Sequence, residues 1–192
     1  LNSAETYPKL QEITQKIAPE LSKYKNDILL NKKLFKRVKF VYLKSDKSIL
    51  SPEQNTLLEK EFNEFVRNGA LLSTKQKEKL RQVDEILAIR SLSFGEKILA
   101  DTNIYLLHIK NEKKLKGLPD FSINEAKSKA KNKNLKGWVF TLDAPSYIPF
   151  ITYSEVRSLR KEISIAYGSR GYRKNENNTI LLIEEIIKLR HK

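Results

Sequence analysis

The chain has 192 residues, 40% of them hydrophobic and 31% charged, with a formal net charge of +14. That balance is enough to bury a core, so the composition is not that of a disordered chain, and the length suits one domain or a helical region with a small appendage. The absence of cysteine excludes disulfides, thiolate metal sites and thiol nucleophiles, and no apolar run reaches the roughly eighteen residues of a membrane-spanning helix.

From the N-terminus, Tyr7, Leu10, Ile13, Ile17, Leu21, Tyr24 and Ile28 recur at steps of three and four, which places them on one face of a helix. Thr6 ahead of Pro8 suits the start of that helix, since proline costs little in a first turn. Pro19 predicts a kink or break near Ala18. A second helix is expected from Asn31, burying Leu34, Phe35, Val38, Val41 and Tyr42. A third opens on "SPEQ", where Ser51 caps, Pro52 takes the first helical position and Gln54 closes a capping box. Its apolar face is Leu57, Leu58, Phe62, Phe65 and Val66, and Gly69 stands where a left-handed C-cap belongs. "STKQ" repeats the device with Ser73 and Gln76, opening a long helix through Leu80, Val83, Ile86, Leu87, Phe94 and Ile98 to about Asp101. These two make a helical hairpin.

The middle changes character. "NIYLLHI", Asn103 to Ile109, is β-branched and aromatic and reads as a strand. A turn and a short helix follow in "GLPDFSINEAKSKAKNK", with Ser122 and Glu125 as a capping box, and "GWVFTL", Gly137 to Leu142, is a second strand expected to pair antiparallel with the first. Two strands alone are marginal in water, so the ribbon must pack on helices. "DAPSYIPF" reads as an extended, proline-punctuated linker. "TYSE" is a further capping box, Thr152 with Glu155, opening a helix through Val156, Leu159, Ile163 and Tyr167 that ends at "GSRG"; a last helix carries Ile180, Ile183, Ile187 and Leu189. The expected fold is mainly α, helical hairpins with a small two-stranded ribbon. It divides into a helical region over 1–102, a strand–helix–strand segment over 103–150, and helices over 151–192.

No catalytic constellation stands out. His108 and His191 are the two histidines, and neither has a second histidine or paired carboxylate at helical spacing, as a metallohydrolase helix requires. His108, between apolar Leu107 and Ile109, reads as a packed or edge histidine, and His191 as solvated in a terminal turn. There is no Gly-x-Ser-x-Gly elbow, and "GSRGYRKN" lacks the spacing of a phosphate loop. Glu184 and Glu185 are adjacent on a helix and point apart. The densest lysine run, "KSKAKNKNLK", contains no aromatic, so a solvated helix face is favoured over a nucleic-acid surface.

In chain order, segments such as "FVRNGA", "SLSFGEKIL" and "LRKEISIAYGSRG" resemble the N-terminal part of the thimet oligopeptidase family of zinc metallopeptidases, over essentially the whole chain. The resemblance implies a larger, two-lobed helical peptidase whose channel admits short peptides. It also implies zinc held by His-Glu-x-x-His and a downstream glutamate, with the motif's glutamate activating water. None of those ligands is in this chain, so no catalytic, cofactor or metal residue carries over. The implied role is scaffold and channel wall, with Arg157, Arg160, Arg170 and Tyr172 as candidate wall residues. The implied partners are short peptides and the remainder of the same protein, in the cytoplasm, with no nucleic acid and no membrane. The absence of methionine and the start at Leu1 fit a piece of a longer protein; a processed mature chain is the alternative. The competing reading is a stand-alone basic helical module that binds nucleic acid or an acidic protein. An exposed apolar flank on the last helix distinguishes the first reading, and a contiguous basic face the second.

Overall fold

The computed structural model describes residues 7–191. Thr6, the expected start signal of the first helix, lies outside them. The described chain is mainly helical, with one two-stranded sheet. No helix among the described residues is long and apolar enough to cross a membrane. The chain divides into two compact units, one of Leu1–Leu92 with Ile186–Lys192 and the other of Ser93–Glu185.

The first unit is built from α1 (Pro8–Leu29), α2 (Lys32–Lys44), α3 (Pro52–Arg67) and the N-terminal part of α4 (Thr74–Ile104). The start signals act as the sequence implies. Asn31 accepts from the amides of Lys33 and Leu34, and Ser51 and Gln54 bond reciprocally. Ser73 and Gln76 do the same at the head of α4. Gly69 follows α3 with φ +92°. The core is small: Leu29, Phe35, Phe65 and Ala70, flanked by Val38, Phe62 and Val66. Phe35 lies 5.9 Å from the rings of both Phe62 and Phe65, and Tyr42 stacks on Phe62 at 4.0 Å. Buried Lys77 donates to the carbonyl of Leu30 at 3.2 Å, and Arg81 pairs with Asp27 at 2.7 Å, so cations finish the C-terminus of α1 where the helix dipole favours them. Burial, reinforced by neighbouring Lys32 and Arg81, pulls the Lys77 ammonium below its usual pKa.

Two expectations fail in this unit. The break allowed for at Pro19 does not occur, since α1 runs on through it; proline removes one donor, and on a helix this solvated the loss does not end it. Of the residues expected to be buried on α2, Leu34 and Val41 are exposed; Tyr7, Ile13, Ile17, Leu21, Tyr24 and Ile28 of the α1 stripe and Leu57 on α3 are exposed as well.

The second unit contains the C-terminal part of α4, β1 (Leu107–Ile109), a 3-10 turn (Glu112–Leu115), α5 (Asp120–Asn132), β2 (Trp138–Phe140), α6 (Ala144–Tyr153), α7 (Arg157–Gly168) and the start of α8 (Ile180–Arg190). The strands pair antiparallel, Leu107 opposite Phe140, His108 opposite Val139 and Ile109 opposite Trp138. Leu107, Ile109, Leu115, Leu118, Ala126, Phe140, Leu142, Phe150, Leu159, Ile163 and Ala166 form one core. Phe140 meets Phe150 edge-on at 4.6 Å, a favoured aromatic geometry.

Here too the structure corrects the reading. Both strands are shorter than expected; β1 starts late because α4 extends through Asn103 and Ile104, and β2 covers only Trp138–Phe140. Ser122 does not cap α5; the helix starts at Asp120, and Ser122 is a buried residue inside it, while Glu125 pairs with Lys129 at 3.0 Å. "DAPSYIPF" is not a linker but the start of α6. Pro145 falls in the first turn, where no amide donor is needed, and the amides of Ser146 and Tyr147 reach the carbonyl of Asp143 at 3.0 and 2.8 Å. Helical pitch brings Tyr147, Phe150 and Ile151 to one core face. The Thr152–Glu155 box does not form either. Thr152 belongs to α6, and Glu155 is occupied elsewhere, its amide on the carbonyl of Lys116 at 2.9 Å and its carboxylate on the Lys116 ammonium at 2.7 Å.

Candidate functional site

The candidate residues from the sequence fall on α7 and the loop after it, residues 169–179. Arg157 is exposed in the first turn of α7. Arg160 turns back to donate to the carbonyl of Ser154. Arg170 lies flat over the Tyr167 ring, 3.6 Å from its centroid, and donates to the Tyr167 carbonyl and to the Thr102 hydroxyl at 3.3 Å. Tyr167 in turn stacks on Tyr147 at 4.1 Å. Tyr172 is 69% exposed. The structure therefore does not gather the four into one cluster: Arg160 and Arg170 hold backbone and a hydroxyl, while Arg157 and Tyr172 face outward.

What organises this region is a residue that the sequence reading treated only as a helix end. Asp101, on α4, is 0% exposed. One carboxylate oxygen accepts from the Gly171 amide at 2.9 Å, and the other accepts from the Asn175 amide group at 2.9 Å and from Arg173 at 3.5 Å. A buried carboxylate is tolerable only when it is satisfied in this way. Arg173 also donates to the carbonyl of Ala166 at 2.7 Å, and both the amide and the hydroxyl of Thr179 donate to the carbonyl of Gly171, at 2.7 and 3.0 Å. Gly171 has φ +73°, a left-handed conformation that favours glycine, and a Cβ there would also crowd the side chains of Ile98 and Thr179. No spacing signal in the sequence links Asp101 to a loop seventy positions on; the pair of glycines in "GSRG" is the only local hint.

Tyr105 completes the surroundings. Arg173 sits over its ring at 5.4 Å, and its buried hydroxyl has no hydrogen-bond partner among the described residues. Burial, with a smaller push from Glu162, raises its pKa; the Arg173 charge opposes this. The arginine and asparagine donors of this cluster are committed to backbone carbonyls, to the Thr102 hydroxyl and to Asp101. The arrangement fixes a loop and displays Tyr172; it does not assemble an acid–base pair or an activated nucleophile. His108 is an edge residue whose Nε2 lies 2.7 Å from the carbonyl of Lys136, and His191 is exposed. Among the described residues there is no group of three or more His, Cys, Asp or Glu that could hold a metal.

No protein-family model matches the chain. Individual proteins do, along its length. The chain is 30% identical to oligopeptidase A of Haemophilus influenzae, over 99% of the chain and 28% of that protein. It is 28% identical to the organellar oligopeptidase A of Arabidopsis thaliana, over 99% of the chain and 25% of the relative. Against the dipeptidyl carboxypeptidase of Escherichia coli the identity is 27%, over 99% and 28%. The chain thus spans little more than a quarter of the length of these relatives. Likeness to oligopeptidases and to dipeptidyl carboxypeptidases alike, end to end along the chain, is consistent with the resemblance to the thimet oligopeptidase family that the sequence marks carry.

Proposed function

We propose that the chain is a non-catalytic part of a longer zinc-dependent peptidase acting on short peptides, where it forms scaffold and channel wall. Zinc and the groups that activate water are then supplied by residues outside this chain, and the proposed place of action is the cytoplasm. The observation that carries this reading is the end-to-end similarity to oligopeptidase A and dipeptidyl carboxypeptidase over about a quarter of their length. The exposed apolar surface supports it. On α8, Leu181 is 74% exposed and Ile187 61%, a composition that a helix facing only water does not favour. Of the candidate wall residues, Tyr172 and Arg157 are the two whose exposure leaves them open to a peptide.

The test is to purify the 192-residue chain, measure its zinc content and assay it on fluorogenic short peptides. The expected result is no stoichiometric zinc and no cleavage, together with a His-Glu-x-x-His motif further along the same gene. Stoichiometric zinc with peptide cleavage by the chain alone would overturn the scaffold role.

A further inference from the structure

We propose that the groove between α5 and the turn at 133–137 binds acidic peptide segments in extended conformation. Its lining includes Lys127, Lys131 and Lys136 with Asn134, Leu135 and Gly137, and it contains no acidic residue. Lys129, on the same helix, provides the contrast. Its ammonium lies 3.0 Å from Glu125, 2.9 Å from Asp143 and 3.1 Å from the Thr141 hydroxyl, so its charge is neutralised within the fold. No ion pair neutralises Lys127, Lys131 or Lys136 among the described residues. One flank of α5 is therefore internally balanced, and the other presents uncompensated positive charge in a concave surface.

The backbone beneath those charges is fixed. The amides of Lys133 and Leu135 both reach the carbonyl of Ala130, at 3.0 and 2.9 Å, and that of Asn134 reaches Lys131 at 3.0 Å. Asn134 has φ 56°. Gly137 has φ +100°, and a Cβ there would lie 2.4 Å from the carbonyl oxygen of Ile109, which clamps the turn against β1. From the same strand, His108 Nε2 lies 2.7 Å from the carbonyl of Lys136. A ligand therefore orders lysine side chains but not the chain that bears them, which lowers the entropy cost of binding.

Three features select an acidic peptide over a nucleic acid. No aromatic residue lines the groove, so bases have no stacking platform. Leu135 offers an apolar contact between the charges, suited to an aliphatic side chain. Lys127 and Lys131, one helical turn apart, place their stems about 6 Å apart. Alternate residues on one face of an extended peptide are spaced about 6.6 Å apart, so carboxylates at every second position match the pair.

The experiment follows the fluorescence anisotropy of a labelled peptide of alternating Glu and Val, titrated with the full 192-residue chain at low ionic strength. It reads binding without cleavage, so it stands apart from the peptidase reading. The K127E/K131E variant is compared with K75E/K79E, which makes the same charge change at exposed positions of α4. Circular dichroism checks that both are folded. The groove variant is expected to weaken binding roughly ten-fold or more, and the α4 variant less than about two-fold. Equal weakening by both variants, no binding by the parent chain, or tighter binding of a single-stranded oligothymidylate would overturn the proposal.

Discussion

In the Ser93–Glu185 unit, Val139, Phe140, Phe150 and Ile163 have no exposed surface, whereas in the other unit Tyr24 is 66% exposed and Phe40 65%. Both sets lie on regular elements, and Tyr24 belongs to the apolar stripe of α1. The difference is that short helices and a β-ribbon enclose the first core from several sides, while in the other unit α2 and α3 meet over a few aromatic rings, α1 adds Leu29, and the apolar stripe of α1 stays largely in water. Periodicity therefore says which side chains share a face; it does not say that anything covers that face. The second unit closes a larger core, with Phe121, Ile165 and Leu181 still exposed on it, and the first leaves most of the α1 stripe for another layer.

The largest effect that sharpens this contrast is expected from Phe140→Ala. The ring is fully buried against Phe150, and its loss should cost about 3–5 kcal/mol in urea unfolding of the chain. Next comes Asp101→Ala, which leaves the Gly171 amide, the Asn175 side chain and Arg173 without their shared acceptor; a loss of about 3 kcal/mol is expected. Asp101→Asn, which keeps one acceptor oxygen, should cost less. A change below 1 kcal/mol for Asp101→Ala would show that the latch is ornamental. The smallest effect belongs to the bare stripe of α1. Leu21→Ser should shift the stability of the isolated chain by no more than about 0.5 kcal/mol, since the side chain is already in water. A cost of several kcal/mol there would break the comparison, because it would mean that α1 is covered in solution.

How much of this was legible in the sequence depended on how local each cause is. The start signals at Ser51 and Ser73 are read correctly because both bonds of each box lie within four residues and compete with nothing else. The same pattern at Thr152 and Glu155 misleads, because Glu155 has a better partner in Lys116 from a distant turn. Two prolines in "DAPSYIPF" argue for extended chain, yet burial of Phe150 and Tyr147 on a core face outweighs that local preference. At the candidate site, Arg170 and Tyr172 are visible from the sequence as an unusual loop composition. Asp101 is not, since its role exists only after the chain has brought residues seventy apart into contact.

The Gly171 amide has its acceptor only while residues seventy apart are in contact, so its protection reports on long-range closure and not on local helix formation. Exchange at Gly171 in the intact chain is expected to speed up in the Asp101→Ala variant, while amides inside α7 stay protected.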